Sequence, residues 1–578
     1  MKGIIDFNIL KRNLKKDVTG FKKIKIAILA DFASQLLTQA IRAYGIGCNI
    51  DYEVFEADYN QIDRQIFDPS SELYEFNPDY IVIFRSSERL LKQFYKQDSR
   101  EKEAFAENQV DYIDSLYQTI TNTLKSKVII NTHVEINDNV FGNYSGKTRS
   151  SFIYQIKKLN ILLMDLSQKR ESFYLSDIAS VSAKKGYDNI FDPKIYVNAD
   201  MVFSIDFLPY IAKNIHDTIQ AISGTFKKCL ILDLDNIIWG GIIGDDGMEG
   251  IQLGELGIGK VFSDLQLWVK ALRKRGIVIA VCSKNTEEIA KEAFISHPNM
   301  VLKLDDIAVF VSNWENKVDN IKYIQGILNI GFDSMVFLDD NPFERNMVQQ
   351  GIPDITVPSL PEDPAEYILF LRDLNLFETA SYTEEDEVRT KQYQEEAKRK
   401  IVQKNFANEE EFLQSLNMKS DVKAFDAFTN PRISQLSQRS NQFNLRTIRY
   451  SEQEVREIAT SGEYVTFSFT LEDIYGDYGL VAYVILHKRD AYTLFIDSWV
   501  MSCRVLNRGM ESFTLNKIVE LAKQQGFRRL VGEYIPTKKN ELVKDNYLKL
   551  GFTELENNIW ELPLQNIQNA KIVFIQKK

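Results

Sequence analysis

The stretch Cys229-Leu230-Ile231-Leu232-Asp233-Leu234-Asp235 drives an apolar strand into two aspartates one residue apart, and the chain then leaves through Trp239-Gly240-Gly241. Two carboxylates at the tip of a buried strand are there to hold something cationic. The pattern recurs downstream. "GIVIAVCSKN" (276–285) ends in Ser283, and "SMVFLDDNP" (334–342) ends in Asp339 and Asp340. Between the first two runs, Leu265, Trp268, Val269 and Leu272 follow helical spacing, with Ser263 as the expected cap and Gly276 as the stop. Strands alternating with helices predict a parallel sheet covered on both faces, with a site outside its carboxyl edge. "WGGIIGDDGMEGI" (239–251) is expected to form a glycine-rich flap over that site. The interval from Asp233 to Ser283 leaves no room for a large inserted cap.

The same alternation opens the chain. "KIKIAILA" (23–30), "DYIVIF" (79–84) and "KVIINTH" (127–133) read as buried strands, and "SQLLTQAIRAYG" as a helix ending at Gly45. A chain of 578 residues needs several cores. The expected organisation is an α/β domain over 1–222, a second over 223–361, a helical connector over 362–412 and a mixed α/β domain over 413–578. The charged stretch within the connector, "TEEDEVRTKQYQEEAKRKIVQK", reads as a solvated helix face.

A net charge of −11 argues against nucleic acid as the main partner. No run approaches the ~18 apolar residues of a membrane span, and the first residues lack the apolar core of a leader. A cytoplasmic protein without a membrane span is expected. Four scattered cysteines and four scattered histidines give no zinc or disulfide pattern. Any metal is therefore a hard cation bound by oxygen, with Mg²⁺ the natural occupant.

Asp233/Asp235, Ser283, Lys317 in "NWENKVDN", and Asp339/Asp340 form one expected phosphate and metal site. A phosphoryl group there is bridged by the cation, the Ser283 hydroxyl and the Lys317 ammonium while one carboxylate attacks in line. A second carboxylate serves as acid and base.

"ILDLDNII", "VCSKN", "NWENKVDN" and "VFLDDNP" resemble the four motifs of the haloacid dehalogenase superfamily. The wider wording "LDLDNIIWGGIIGDDGMEGIQLG" resembles the FkbH-like family more narrowly. The resemblance implies a Rossmann-like phosphatase domain without a large cap, over 223–361. It makes Asp233 the nucleophile and Asp235 the acid and base, with phosphate on Ser283 and Lys317. Mg²⁺ falls to Asp233, the backbone carbonyl of Asp235, and Asp339, with Asp340 nearby. It also implies a small phosphorylated substrate of glyceryl type, whose acyl group passes to an acyl carrier protein. Cys282 is the candidate thiol beside that site; a buried structural cysteine is the equal alternative.

In the last region, Arg504, Asn507, Arg508 and Gly509 in "MSCRVLNRGMESF" resemble the pyrophosphate loop of the GNAT acyltransferases, with Asn507 in place of the usual first glycine. That resemblance implies binding of acyl-CoA or a phosphopantetheine thioester, with Tyr547 as the acid. Tyr547 reads equally as a core aromatic, and Glu533 is a candidate base. The opening "ILADFASQLL" resembles the flavodoxin-like SGNH-hydrolase fold. No Asp-x-x-His follows late in that region, so the domain is expected to be non-catalytic.

The leading expectation is a Mg²⁺-dependent phosphatase and acyltransferase. The alternatives are a sugar-phosphate phosphatase fused to an N-acetyltransferase of surface-polysaccharide synthesis, and a non-enzymatic ligand-binding scaffold.

Overall fold

The computed structural model describes residues 6–382, 389–403, 406, 408–537, 539–565, 567 and 574–578. The chain divides into two compact units, Lys2–Ala221 and Ile222–Lys578. The architecture is multidomain α/β with parallel sheets. Among the described residues no helix is long and apolar enough to cross a membrane.

The N-terminal unit is built on β1 (Lys22–Ala30), β2 (Ile50–Glu56), β3 (Tyr80–Phe84), β4 (Lys127–Asn131) and β5 (Phe173–Ser176). They pair in the order β2-β1-β3-β4-β5, all parallel. Full burial of β3 is what a sheet covered on both faces requires. The helix after β1 runs Gln35–Gly47, past the expected stop. Gly45 has another task there: a Cβ on it would come within 2.4 Å of the Tyr52 ring, so its missing side chain lets the helix lie against β2.

The second unit holds two sheets. The first comprises β6 (Cys229–Leu232), β7 (Val278–Ser283), β8 (Val309–Ser312) and β9 (Met335–Leu338) in the parallel order β8-β7-β6-β9. Alternation divides its side chains between two cores. Leu230, Leu232, Ile279, Val281, Val336 and Leu338 pack on one face. Cys229, Ile231, Val278, Ala280, Cys282 and Phe337 pack on the other. The helix Gly259–Lys274 starts four residues before Ser263, so Ser263 is not its cap; the Ser263 hydroxyl instead accepts the Gly254 N–H at 3.0 Å. The expected flap is largely anchored. Trp239 and Ile243 are buried, and residues Ile243–Gly250 are helical, broken at Gly247 where φ is 68°.

The C-terminal sheet contains β10 (Met418–Ser420), β11 (Val422–Lys423), β12 (Phe443–Asn444), β13 (Tyr464–Asp473), β14 (Gly476–Lys488) and β15 (Thr493–Met501). It continues with β16 (Arg529–Glu533), β17 (Thr553–Glu554), β18 (Ile559–Pro563) and β19 (Ile575–Lys577). Most neighbours are antiparallel; β15 and β16 are parallel, and their pairing ends at Ile496 and Gly532 while β15 runs on to Met501.

The charged connector differs from expectation. Residues 383–388 of that stretch lie outside the described residues. The helix Arg389–Gln403 is not a solvated face: Tyr393 joins the core beside β7 and β8, and Arg399 is 1% exposed. Arg399 makes a two-pronged bond to Asp473 at 2.7 and 2.8 Å. A buried charge needs such a partner, and this one lies 74 residues away.

Candidate active site

The carboxyl ends of β6, β7 and β9 and the start of the helix Lys317–Leu328 converge on one point. Asp233 follows β6 directly, its N–H donating to the Leu338 carbonyl at 2.9 Å. Asp339 and Asp340 follow β9. Asn316 caps the helix with its side chain on the Val318 N–H, which sets Lys317 at the first helical position. The Lys317 ammonium lies 2.9 Å from Asp233 Oδ2 and 2.6 Å from Asp339 Oδ2.

Oxygens of Asp233, Asp339 and Asp340 lie within 4.8 Å of one another. Asp339 is fully buried, and Asp233 nearly so. Burial, reinforced by the charge on Asp233, pushes the Asp339 carboxyl up to about 6 against the pull of Lys317. Burial and Asp233 also raise Asp340. Burial would lower the Lys317 ammonium, but the two aspartates outweigh it and hold it above the ordinary lysine value. Two carboxylates thus share one ammonium, with a third beside them. The second Asp233 oxygen, Oδ1, is buried and makes no hydrogen bond. An all-oxygen donor set with excess negative charge and an unpartnered buried oxygen fits a hard divalent cation such as Mg²⁺.

The Asp235 carboxylate stays outside that cluster. Its Oδ1 accepts the Trp239 indole N–H at 2.8 Å and the Ile243 N–H at 3.1 Å, and its Oδ2 accepts from Asn285 at 2.9 Å. Asn285 also donates to Ser283 Oγ at 3.2 Å, so one amide orients both side chains. Ser312 fixes Asn285 in turn, donating to its carbonyl at 3.0 Å. Asn285 and Arg345, whose guanidinium donates to the Asp339 and Asp340 carbonyls at 2.8 and 2.6 Å, were not singled out in the sequence. Asn285 had a signal: it is a polar residue two positions beyond Ser283, just past the end of the same strand.

Cys282 lies behind the site, its thiol reaching the Lys317 backbone carbonyl at 3.9 Å. The strand pleat that turns Ser283 toward Asn285 turns Cys282 to the opposite core, where it is fully buried among Ile231, Val311 and Val318. Burial pushes its thiol up to about 12, with Lys317 opposing, so of the two equal readings of Cys282 the thiolate beside the phosphate is the disfavoured one.

The other predicted residues lie in the C-terminal sheet. Asn507 and Gly509 take left-handed backbone, with φ of 61° and 78°, ahead of the helix Met510–Gln524. The Arg508 guanidinium bonds Glu396 and the Tyr478 hydroxyl, and Arg504 bonds Gln392; both arginines tie the helix Arg389–Gln403 to this sheet. Tyr547 is a core aromatic, stacked near Trp560 and packed on Phe552, its buried hydroxyl without a hydrogen bond. Glu533 accepts from Arg446 at 2.7 Å.

Residues 25–220 match the model of the FkbH N-terminal domain. No curated protein matches the chain. Among solved structures, the N-terminal part of the protein BF1531 from Bacteroides fragilis, containing a phosphatase domain complexed with Mg, is 52% identical. That likeness covers 65% of this chain and 100% of the other, with a TM-score of 0.63. The ribosomal-protein-S18-alanine N-acetyltransferase from Escherichia coli is 15% identical over 26% of this chain and 99% of its own, with a TM-score of 0.20. The GNAT domain of S. lividans PAT is 18% identical over 25% of this chain and 89% of its own, with a TM-score of 0.20. Half of the residues are shared along the whole of the Bacteroides structure, and the chain belongs to the FkbH-like family.

Proposed function

We propose that this chain is a Mg²⁺-dependent phosphatase of the haloacid dehalogenase type acting on a small phosphorylated substrate. The observation that carries the reading is the cluster of Asp233, Asp339 and Asp340 around Lys317, with one buried Asp233 oxygen left without a hydrogen bond. The Mg-bound phosphatase domain of BF1531 supports the choice of metal.

In this reading an Asp233 oxygen attacks phosphorus, and the bond to the leaving oxygen breaks in line as the new P–O bond forms. Asp235, held by Trp239, Ile243 and Asn285, gives its proton to the leaving oxygen. It then takes a proton from the water that hydrolyses the aspartyl phosphate. Ser283 and Lys317 bind the equatorial phosphoryl oxygens. Mg²⁺, held by Asp233, Asp339, Asp340 and the backbone carbonyl of Asp235, would supply the remaining charge neutralisation.

The domain borders at 222/223, 361/362 and 412/413 belong to the same reading. A small acyl phosphate of glyceryl type, with acyl transfer to a carrier-protein or CoA thiol, is its finer form. The burial of Cys282 on the far face favours plain hydrolysis over capture of the acyl group on this chain. That also suits a sugar phosphate, the second reading. In the C-terminal sheet, the left-handed Asn507 and Gly509 support a loop that offers backbone N–H groups to an acyl-CoA or phosphopantetheine. Arg504 and Arg508, already bonded within the protein, support it less.

The test is phosphate release from p-nitrophenyl phosphate, an acyl phosphate and a sugar phosphate, with Mg²⁺ and with EDTA. The wild type is expected to turn over at least one of them with Mg²⁺ only. Asp233→Asn is expected to be inactive. An Asp233→Asn variant as fast as wild type would overturn the mechanism, and release from none of the substrates would leave the scaffold reading standing.

A further inference from the structure

The order β2-β1-β3-β4-β5 reverses direction between β1 and β3. Connections leave the carboxyl ends of those two strands toward opposite sides, and a crevice forms between them; open α/β sheets bind their ligands at such a switch point. This sheet has a cavity of about 460 Å³ there. Asp31, directly after β1, and Arg85 and Arg89, just after β3, line it.

The charged groups around the cavity are held in place. The Asp31 carboxylate accepts the Ser86 N–H at 3.0 and 3.1 Å. The Arg85 guanidinium lies over the Tyr112 ring, 4.7 Å from its centre, and donates to the neutral amide of Gln109 at 2.7 Å. The Tyr112 hydroxyl donates in turn to Asp63. Arg89 lies over Tyr59 and is tied to Asp200 through one nitrogen. Its Nε and the Gln97 Oε1 are buried and make no hydrogen bond, and both residues line the cavity. Both are thus open to a hydrogen bond with a ligand seated in the cavity. Both carboxylates in the wall are engaged by N–H or O–H donors, and Arg85, which also feels the charges of Asp31 and Asp63, gives its hydrogen bond to an amide rather than to a carboxylate.

The wall also selects a chemistry. Ile62 is its one aliphatic side chain among the described residues, against several side-chain amides. An acyl chain or a pantetheine arm finds little there to bury against. Hydroxyl groups find donors and acceptors on every side, and one anionic group finds two guanidiniums.

We propose that this cavity is a second ligand site, taking a small polyhydroxylated anion, a hydroxy acid or sugar phosphate, whose charged group binds Arg85 and Arg89 and whose hydroxyls bind the amides and Asp31. It needs no catalytic residue and stands whether or not the phosphatase reading holds.

Isothermal titration of the full chain in EDTA tests it, with glycerate, gluconate and glucose 6-phosphate as probes and glucitol as the uncharged control. At least one anion is expected to bind saturably, and glucitol at least tenfold more weakly. Arg85→Met is expected to weaken binding about tenfold or more. Because Arg85 is deeply placed, the half-exposed Gln97→Leu serves as the second variant, with circular dichroism melts as the fold check, and is expected to weaken binding several-fold. No saturable binding by any of the three anions overturns the proposal. So does binding unchanged in a folded Gln97→Leu variant, or glucitol bound as tightly as gluconate. A response to glucose 6-phosphate alone would assign the sugar-phosphate source; a response to gluconate or glycerate would assign the hydroxy acid.

Discussion

Lys317 bonds one oxygen of Asp233 at 2.9 Å and leaves the other buried without a hydrogen bond. The lysine is therefore half of a charge balance. Asp339 and Asp340 complete a cluster whose negative charge one ammonium does not cancel.

Adding Mg²⁺ is accordingly expected to raise the melting temperature of the second unit, since a ligand bound only by the folded form adds about 2.7 kcal/mol at a hundred times its dissociation constant. Lys317→Met is expected to cost about 3–5 kcal/mol without metal, because Asp233 and Asp339 lose their common partner. The Mg²⁺-dependent rise in melting temperature should then be larger than in wild type. Thermal melts in MgCl₂ and in EDTA measure both. A wild-type melt indifferent to Mg²⁺ would count against a metal at this cluster.

Asn285 orients Asp235 and Ser283 together, so its removal should misplace the acid and loosen the phosphate contact without touching either residue. Asn285→Ala is expected to lower kcat by about 10–100-fold, as losses of orienting partners do, with KM changed less. The double variant Asp235→Asn/Asn285→Ala should lose less than the product of the two single losses, because part of the amide's effect runs through Asp235 and only the rest through Ser283. Additive losses would mean that Asn285 acts independently.

The parts of this molecule that were legible beforehand are those governed by local pattern. The tips of β6 and β9 announce themselves because a buried run that ends in carboxylates can only deliver them to an edge, and the order of motifs places Ser283 and Lys317 beside them. Gly45 reads as a helix stop in the sequence, whereas its role depends on Tyr52, on a neighbouring strand. Cys282 was ambiguous until the strand was known to continue through Ser283, which places the two side chains on opposite faces. Arg399 was illegible for a longer-range reason. Its sequence neighbours are charged, as on a solvated helix, and the carboxylate that permits its burial lies on β13.

Arg399→Met tests that burial. Its guanidinium is 1% exposed and Asp473 is its two-pronged partner, so truncation leaves a buried carboxylate with the more distant Arg508, at 3.5 Å, as its remaining cation. A loss of about 3–5 kcal/mol is expected, read from urea unfolding of the full chain. Asp473 retains the Tyr475 and Gly476 N–H groups at 2.9 and 3.1 Å and the Tyr478 hydroxyl at 3.0 Å, which favours the lower end of that range. A loss below about 0.5 kcal/mol, ordinary for an exposed position, would return the helix to the role of a solvated connector.

In the N-terminal unit, Glu88 gives a pH dependence with a definite sign. The residue is buried, accepting a 3.3 Å bond from the Tyr187 hydroxyl, and burial outweighs its hydrogen bonds and pushes its carboxyl up to about 7 from an ordinary 4.5. Between those values the folded chain holds a proton that the unfolded chain has lost. The stability this group contributes is therefore full below about pH 4.5 and is lost as the pH rises to about 7, by about 3 kcal/mol at 1.36 kcal/mol per pH unit. His216 acts in the opposite sense: burial lowers it from 6.5 to about 4, so its contribution is lost as the pH falls through that window. Glu88→Gln removes the first effect and leaves the second. Relative to wild type, the variant is expected to gain stability from pH 4.5 to pH 8, with most of the change complete by about pH 7. Urea melts of the two proteins across that range decide it, and a difference that stays flat with pH would mean that Glu88 ionises alike in the folded and unfolded chains.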